Sequence, residues 1–301
     1  MGKKQMIIQK LNQESTAGFL CTLPFTAGFL VFTLIPVIAS LYYSFTDFDI
    51  LSRPVFIGLD NYKNLFTEDK TFLKSLVVTI YYTLVSVPLK LLFALLVAVL
   101  LVRQSRPGAV YRAVYYLPSI IGSSVAVSVL WKRMFASDGV INAFFSIFGI
   151  LKDFSWLGNT KTAIWTLILL SVWQFGSSML IFLAALKQIP SSLYEAARVD
   201  GAGKLSLFFK ITLPMLTPTI FFNLVMQTIT AFMAFTQCYI ITGGKPLNST
   251  LFYAVYMYQQ SFDYYHFGYG SAMAWIMLIL IAAVTLVIFK TSDRWVYKEG
   301  E

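Results

Sequence analysis

Runs of roughly twenty or more mostly apolar residues alternate along this chain with short polar segments, and that rhythm predicts its elements. Six runs qualify, at 17–43, 75–102, 110–131, 162–186, 216–241 and 269–290, each near the ~20 residues a helix needs to cross a hydrocarbon core. Inside a bilayer only helices or closed barrels satisfy every backbone donor and acceptor, and unbroken apolar runs of this length read as helices. The expectation is an all-α integral membrane protein with six transmembrane helices. Pro24, Pro36, Pro88 and Pro118 fall within the runs, where kinks are tolerated if neighbouring helices satisfy the freed carbonyls. The chain then divides into an N-terminal segment 1–16, a membrane domain 17–290 and a tail 291–301. One helix-signalled polar segment, 190–214, lies between the fourth and fifth runs.

Composition removes the soluble classes. The 301 residues are 57% hydrophobic and only 12% charged, against about 25% charge in a soluble domain. Mean hydropathy is +0.70. The net charge of +9 would suit a nucleic-acid binder, but the basic residues sit in short loops beside apolar runs and make no basic face. That placement is the positive-inside signature. Arg103, Arg106 and Arg112 share one short turn with no acid. Placing that turn inside also puts Lys3, Lys4, Lys10, Arg198, Lys204, Lys290 and Lys298 inside, so both termini and 190–214 are expected in the cytoplasm.

The two cysteines, Cys21 and Cys238, lie within apolar runs and suggest neither a disulfide nor a metal site. The first run is too long for a cleaved signal peptide and lacks a small-x-small site, so it is expected to be a retained span. Outer loops of about 30 residues leave room only for short lateral helices. No internal repeat is evident, which argues against the duplicated plan of many secondary transporters.

The polar segment reads EAARVDGAGKLSLFFKITLP from Glu195 to Pro214. Ser192-x-x-Glu195 has the spacing of a capping box, in which hydroxyl and carboxylate satisfy free donors at a helix start. Leu193, Ala196, Ala197 and Asp200 continue a short helix, and Gly201 is placed to end it in the left-handed conformation. Eight or nine residues make a helix about 13 Å long. Such a helix is marginal alone in water, so a packing partner is expected, and the two alanines offer it a flat face.

Glu-Ala-Ala, three residues, Gly201, nine residues and Ile211-x-Leu213-Pro214 resemble the cytoplasmic EAA signature of binding-protein-dependent ABC importer permeases. FIGLDNY at 56–62, WLGN at 156–159, ITGGKPLNST at 241–250, FGYGSAMAW at 267–275 and the WVYKEGE ending are similar to the carbohydrate-uptake branch of that family, the maltose and glycerol-3-phosphate group. Lys245 departs from it, since a third glycine before the proline is common there. The resemblance covers nearly the whole chain from about residue 17 and implies a type I ABC importer permease in a bacterial cytoplasmic membrane. It implies that Glu195, Ala196, Ala197, Asp200, Gly201, Ile211, Leu213 and Pro214 couple the spans to an ATPase, through a coupling helix between the fourth and fifth. The implied partners are a second homologous permease, two cytoplasmic ATPase subunits, an extracytoplasmic solute-binding protein and a carbohydrate, within the lipid bilayer. ATP and Mg would be held by the ATPase subunits, and no cofactor by this chain. GAGKLS at 201–206 is not a phosphate loop, because Arg198 and Leu205 stand where glycine and Ser or Thr are required.

A pathway needs polar groups inside the spans, where they cost energy and face the bundle interior. Ser171, Gln174 and Ser178 in the fourth span and Asn223, Gln227, Thr230 and Gln237 in the fifth recur at helical spacing, with Ala231 and Ala234 alongside. Thr79, Tyr82, Ser86 and Lys90 form a similar set in the second span. Uncharged donors and acceptors suit sugar hydroxyls, and Trp173, Phe175 and Phe235 offer ring faces. The same residue types also hold membrane helices together, so the alternative at each position is packing. Lys90 is expected to snorkel or to pair within the assembly, unless the cargo is anionic. The aromatic stretch 252–269 reads as an interfacial belt or as a surface for the delivery protein. His266 has no second ligand in view and receives no metal or catalytic role.

Among rival functions, an intramembrane enzyme lacks its catalytic set and a secondary transporter lacks its coupling acid, since the spans carry no His, Asp or Glu. Within the importer class, glycerol 3-phosphate or another non-sugar solute is the alternative cargo.

Overall fold

Two short π-helical turns show how proline shapes these membrane helices. In the computed structural model, which describes residues 14–102, 108–149 and 154–297, helix α1 (Glu14–Phe29) leads through a π turn at Leu30–Leu34 into α2 (Ile35–Ser44). Pro36 has no N–H for the carbonyl four residues back, and the ladder widens there instead of breaking. A second π turn, Phe208–Thr212, stands in the same relation to Pro214.

The chain forms two compact units, Met1–Asn64 with Gln260–Ile276 and Leu65–Gln259 with Met277–Glu301. In the first, Cys21–Ser44 is long and apolar enough to span a membrane and buries none of its apolar window within the chain. It ends in a short antiparallel pair, β1 (Thr46–Asp47) with β2 (Val55–Phe56), in the register Thr46 to Phe56. FIGLDNY fastens that corner. Gly58 takes φ +64°, buried Asn61 donates to the carbonyls of Ser44 and Thr46 at 3.0 Å each, and Tyr62 donates to Ser44 Oγ at 2.8 Å. Gly268 comes so close to this corner that a Cβ there would lie 2.0 Å from Thr46 O. Replacing Asn61 by Ala strands two buried carbonyls and is expected to lower stability by about 1–3 kcal/mol, seen as an earlier thermal transition of the detergent-purified protein. An unchanged transition would show that water replaces the amide.

The second unit is built on α4 (Lys70–Leu101), a 32-residue helix about 48 Å long. Asp69 caps it by accepting from Phe72 N at 2.8 Å. Phe72, Thr79, Tyr82, Ser86, Lys90, Ala94 and Ala98 lie on its buried face. Against that helix pack α8 (Ala163–Trp173), α9 (Gly176–Gln188), α12 (Leu213–Phe232) and α14 (Tyr253–Tyr258).

Among the described residues four helices are each long and apolar enough to cross a membrane, and the number reaches six if each of two bent pairs is one span. The expected 110–131 helix is not straight: α5 (Gly108–Ile121) and α6 (Val125–Met134) meet at 98°. Pro118 weakens the ladder ahead of the bend, and Ser124 restarts it by accepting from Val127 N at 3.3 Å. The 162–186 run likewise bends by 41° between α8 and α9. The 216–241 run starts earlier, at Lys204, and breaks after α12 before α13 (Thr236–Ile241). Helix α15 (Phe267–Ser292) is the last candidate span. Lys3, Lys4, Lys10, Arg103, Arg106 and Lys298, which carry much of the expected charge asymmetry, lie outside the described residues.

Candidate functional site

The Glu195 segment is a nine-residue helix, α10 (Ser191–Val199), none of whose residues is buried within the chain. The expected capping box does not form. Pro190 takes the N-cap position with φ −59° and ψ 132° and offers no side-chain acceptor, which leaves Ser192 inside the first turn. Proline starts the helix here because its missing N–H needs no partner. At the other end the expectation holds: Gly201 has φ +79°. Ala202 N donates to Ala197 O at 2.9 Å and Gly201 N to Arg198 O at 3.0 Å, the paired bonds of a Schellman motif.

Glu195, Ala196, Asp200 and Gly201 are exposed, whereas Ala197, Ile211, Leu213 and Pro214 are half-buried. A residue outside the signature joins these two groups. The hydroxyls of Tyr194 and buried Thr212 are hydrogen-bonded at 2.9 Å, which ties α10 to the foot of α12. Nothing in the spacing marked Tyr194, because the bond crosses 18 residues of chain.

From its foot α12 runs to a cavity of about 240 Å³ inside the second unit. Of the expected pathway residues, Ser171, Gln174, Gln227, Thr230, Ala231 and Ala234 line it, together with Gln237. Ser178 and Asn223 do not. Asn223 is one turn below Gln227 on the same stripe, but it is 1% exposed and its amide donates to its own helix at Thr219 O. Ser178 lies past the α8–α9 bend and is fully buried. Helical spacing carries a stripe onward past the point where neighbouring helices close the wall.

From α4, Tyr82 and Lys90 reach the cavity. Thr79 does not, since its hydroxyl accepts from Tyr253 N at 2.8 Å, and neither does the buried Ser86. Lys90 does not snorkel: it is 8% exposed and about 16 Å of helix separates it from Leu101. Phe235 is in the wall, but Trp173 packs on Trp131 and Phe175 on Phe93. Phe252 was not anticipated; its ring packs at 4.5 Å from that of Tyr82.

Two lining amides also hold the wall together. Gln174 Nε2 donates to Gly122 O at 3.1 Å and Gln237 Nε2 to the same carbonyl at 3.5 Å. Ser119 Oγ donates to Gln174 O at 3.0 Å and accepts from Ser177 N at 3.0 Å. The carbonyls at the α5–α6 and α8–α9 breaks are thus satisfied by each other's helices.

The aromatic stretch 252–269 is not one belt. Phe252, Tyr253, Ala254, Val255 and Tyr256 are buried, and Tyr256 donates to Asp69 Oδ2 at 2.7 Å. Phe262, Tyr264, Tyr265 and His266 are exposed. His266 Nδ1 lies 3.1 Å from Gln260 Oε1, and no group of three or more metal-ligating side chains occurs among the described residues.

Several apolar spans around a polar internal cavity define a membrane transport component. Residues 66–298 match the family described as binding-protein-dependent transport system inner membrane component, and the chain belongs to that family. It is a permease subunit of an ABC transporter and not an enzyme. It is 54% identical over 295 residues to the probable ABC transporter permease protein YesP of Bacillus subtilis (strain 168), covering 97% of this chain and 96% of that one. It is 32% identical over 284 residues to the trehalose/maltose transport system permease protein MalF of Thermococcus litoralis, covering 92% and 94%. The arabinooligosaccharides transport system permease protein AraP of Bacillus subtilis (strain 168) is 32% identical over 291 residues, covering 94% and 90%. The fold matches a chain in the crystal structure of a bacterial ABC transporter involved in the import of the acidic polysaccharide alginate, with TM-score 0.82, 21% identity and coverage of 96% and 99%.

Proposed function

We propose that this chain translocates a sugar or oligosaccharide across the cytoplasmic membrane by alternating access. It works as one of two homologous permeases, with two ATPase subunits on the cytoplasmic face and a solute-binding protein on the outer face. The observation that carries this reading is mechanical: α12 is one lever between two sites. At its foot the Tyr194–Thr212 hydrogen bond joins it to the exposed α10, and Gln227, Thr230 and Ala231 place it in the cavity wall. Leu213 and Gln227 are 14 residues apart, about 21 Å of continuous helix. A π turn lies below α12 and a break in the helix lies above it, the two places where the lever's ladder of hydrogen bonds is irregular.

In this reading Glu195, Ala196, Asp200 and Gly201 face a cleft of the ATPase, and Ala197, Ile211, Leu213 and Pro214 seat the helix on the spans. Both termini and α10 lie in the cytoplasm. ATP and Mg belong to the ATPase subunits. ATP binding favours the outward-facing state that accepts sugar, and the cavity reopens inward after hydrolysis.

Sugar is favoured by the wall itself, where amides and hydroxyls stand beside the rings of Tyr82, Phe235 and Phe252. The relatives named for trehalose/maltose and arabinooligosaccharide transport support the same class. At about 240 Å³ the cavity is below the ~300–1,000 Å³ of typical ligand pockets, which supports a pathway completed by the second permease.

Uptake of a panel of labelled sugars by the assembled importer tests the proposal; transport of none of them would overturn the carbohydrate reading. Gln227→Glu is expected to cut uptake at least tenfold, because it buries an added charge in the wall. ATPase subunits should still co-purify with that variant. Unchanged uptake and selectivity would make this face packing and not pathway.

A further inference from the structure

Resting on the carbohydrate reading, we infer that Lys90 is a specificity-determining residue and that the cargo is an acidic sugar whose carboxylate it receives. Among the described residues Lys90 is the only charged side chain in the cavity wall, and no Asp or Glu lines it. It is 8% exposed, and it has no hydrogen-bond or ion-pair partner among the described residues. A buried cation without a counter-charge is costly, so a membrane protein keeps one where a ligand or a pathway needs it.

The neighbours fit such a cargo. Tyr82 is eight residues before Lys90 on α4, about 12 Å along the helix, and its ring pairs with Phe252. The wall thus holds ring faces, the ammonium-bearing Lys90 and the polar side chains of Ser171, Gln174, Gln227 and Thr230. A pyranose with a carboxylate offers matching features: an apolar ring face, several hydroxyls and one negative charge. A single lysine balances one carboxylate. A phosphate monoester carries about −1.5 to −2 and would leave an uncompensated charge in a wall with one cation.

The test uses the complete importer in proteoliposomes with its own binding protein, in wild-type, Lys90→Met and Lys90→Arg forms. Three labelled cargoes are compared: a uronic-acid disaccharide, its neutral counterpart with hydroxymethyl in place of carboxylate, and a hexose 6-phosphate. The binding protein is common to all forms, so a change in the uptake ratio between cargoes reports the permease.

Wild type is expected to favour the uronide over the neutral sugar by roughly tenfold to a hundredfold, the range of a charge-assisted hydrogen bond. Lys90→Met should collapse that ratio through KM, and Lys90→Arg should keep most of it. Equal wild-type uptake of uronide and neutral sugar overturns the inference, as does an unchanged ratio in Lys90→Met. A phosphate preference that collapses in Lys90→Met overturns the carboxylate assignment. Equal loss for all cargoes, with the second permease no longer co-purifying, assigns Lys90 to subunit pairing and also overturns it. If Lys90→Met fails to insert, the wild-type ratio with its retention in Lys90→Arg decides. If wild type carries none of the three, the carbohydrate reading falls first, a result distinct from transport of the neutral sugar alone.

Discussion

Gly201→Trp should abolish uptake while leaving the chain inserted in the membrane and its cavity intact. Two costs are separable at this position. The left-handed φ of +79° is unfavourable for any L side chain by roughly 1–2 kcal/mol, and Gly201→Ala carries that cost alone. A Cβ there meets nothing within 4 Å in the chain itself, so the bulk of tryptophan is not opposed by this subunit. Any further loss from Ala to Trp must come from what covers α10 in the assembly. The expected order is wild type, then Ala with a loss of at most about tenfold, then Trp with no measurable uptake. Sugar uptake in membrane vesicles measures this, with ATPase co-purification as the second readout. Normal uptake by the Trp variant would remove the coupling role from α10.

The second large effect is expected at Gly122, for the opposite reason. A Cβ at Gly122 would lie 2.4 Å from Gln174 Cγ and 2.5 Å from the carbonyl oxygen of Pro118. The glutamine can move, but the backbone carbonyl cannot without disturbing the bend. Gly122→Val is therefore expected to lower stability by about 1–3 kcal/mol or more and to eliminate uptake through loss of the cavity wall. Gln174→Ala separates the two contributions. It removes one donor from the Gly122 carbonyl, which keeps Gln237 at 3.5 Å, and should cost about 1 kcal/mol with a partial loss of uptake. Thermal unfolding of the purified importer checks both variants. A Gly122→Val protein as stable as wild type would mean that the α5–α6 bend relaxes freely.

These two glycines mark how far the chain could be read before it was seen folded. Gly201 was legible because a C-terminal helix stop is local: a few residues of backbone bonding decide it, and the spacing to Glu195 gives its direction. Gly122 was not, because what fills the space above it is Gln174, 52 residues later. The capping box at Ser192 failed for a local reason of a different kind. Proline at 190 starts the helix early and displaces the hydroxyl from the capping position. Tyr194 was passed over because it stands just before the signature and its partner Thr212 becomes visible only when the foot of α12 folds back beside it.

The pathway shows the same division. Helical periodicity put Ser171, Gln174, Gln227, Thr230, Ala231 and Ala234 on shared faces, and all six line the cavity. It put Ser178 and Asn223 there as well, and the fold took them away by bending α8 from α9 and by packing the lower turns of α12.

The sequence by itself determined the class of protein and its helices. Those depend on apolar length, on the cost of unsatisfied backbone in lipid and on the spacing of one signature, and all three are local or additive along the chain. Tertiary structure alone decided where the spans break, which polar side chains share one cavity and that Lys90 stands in its wall without a counter-charge. Those depend on which atoms meet across tens of residues, and a one-dimensional pattern carries no record of such meetings. For the Glu195–Pro214 segment the outcome is a nine-residue helix, Ser191–Val199, with no residue buried within the chain and hydrogen-bonded through Tyr194 to the lever that reaches the cavity.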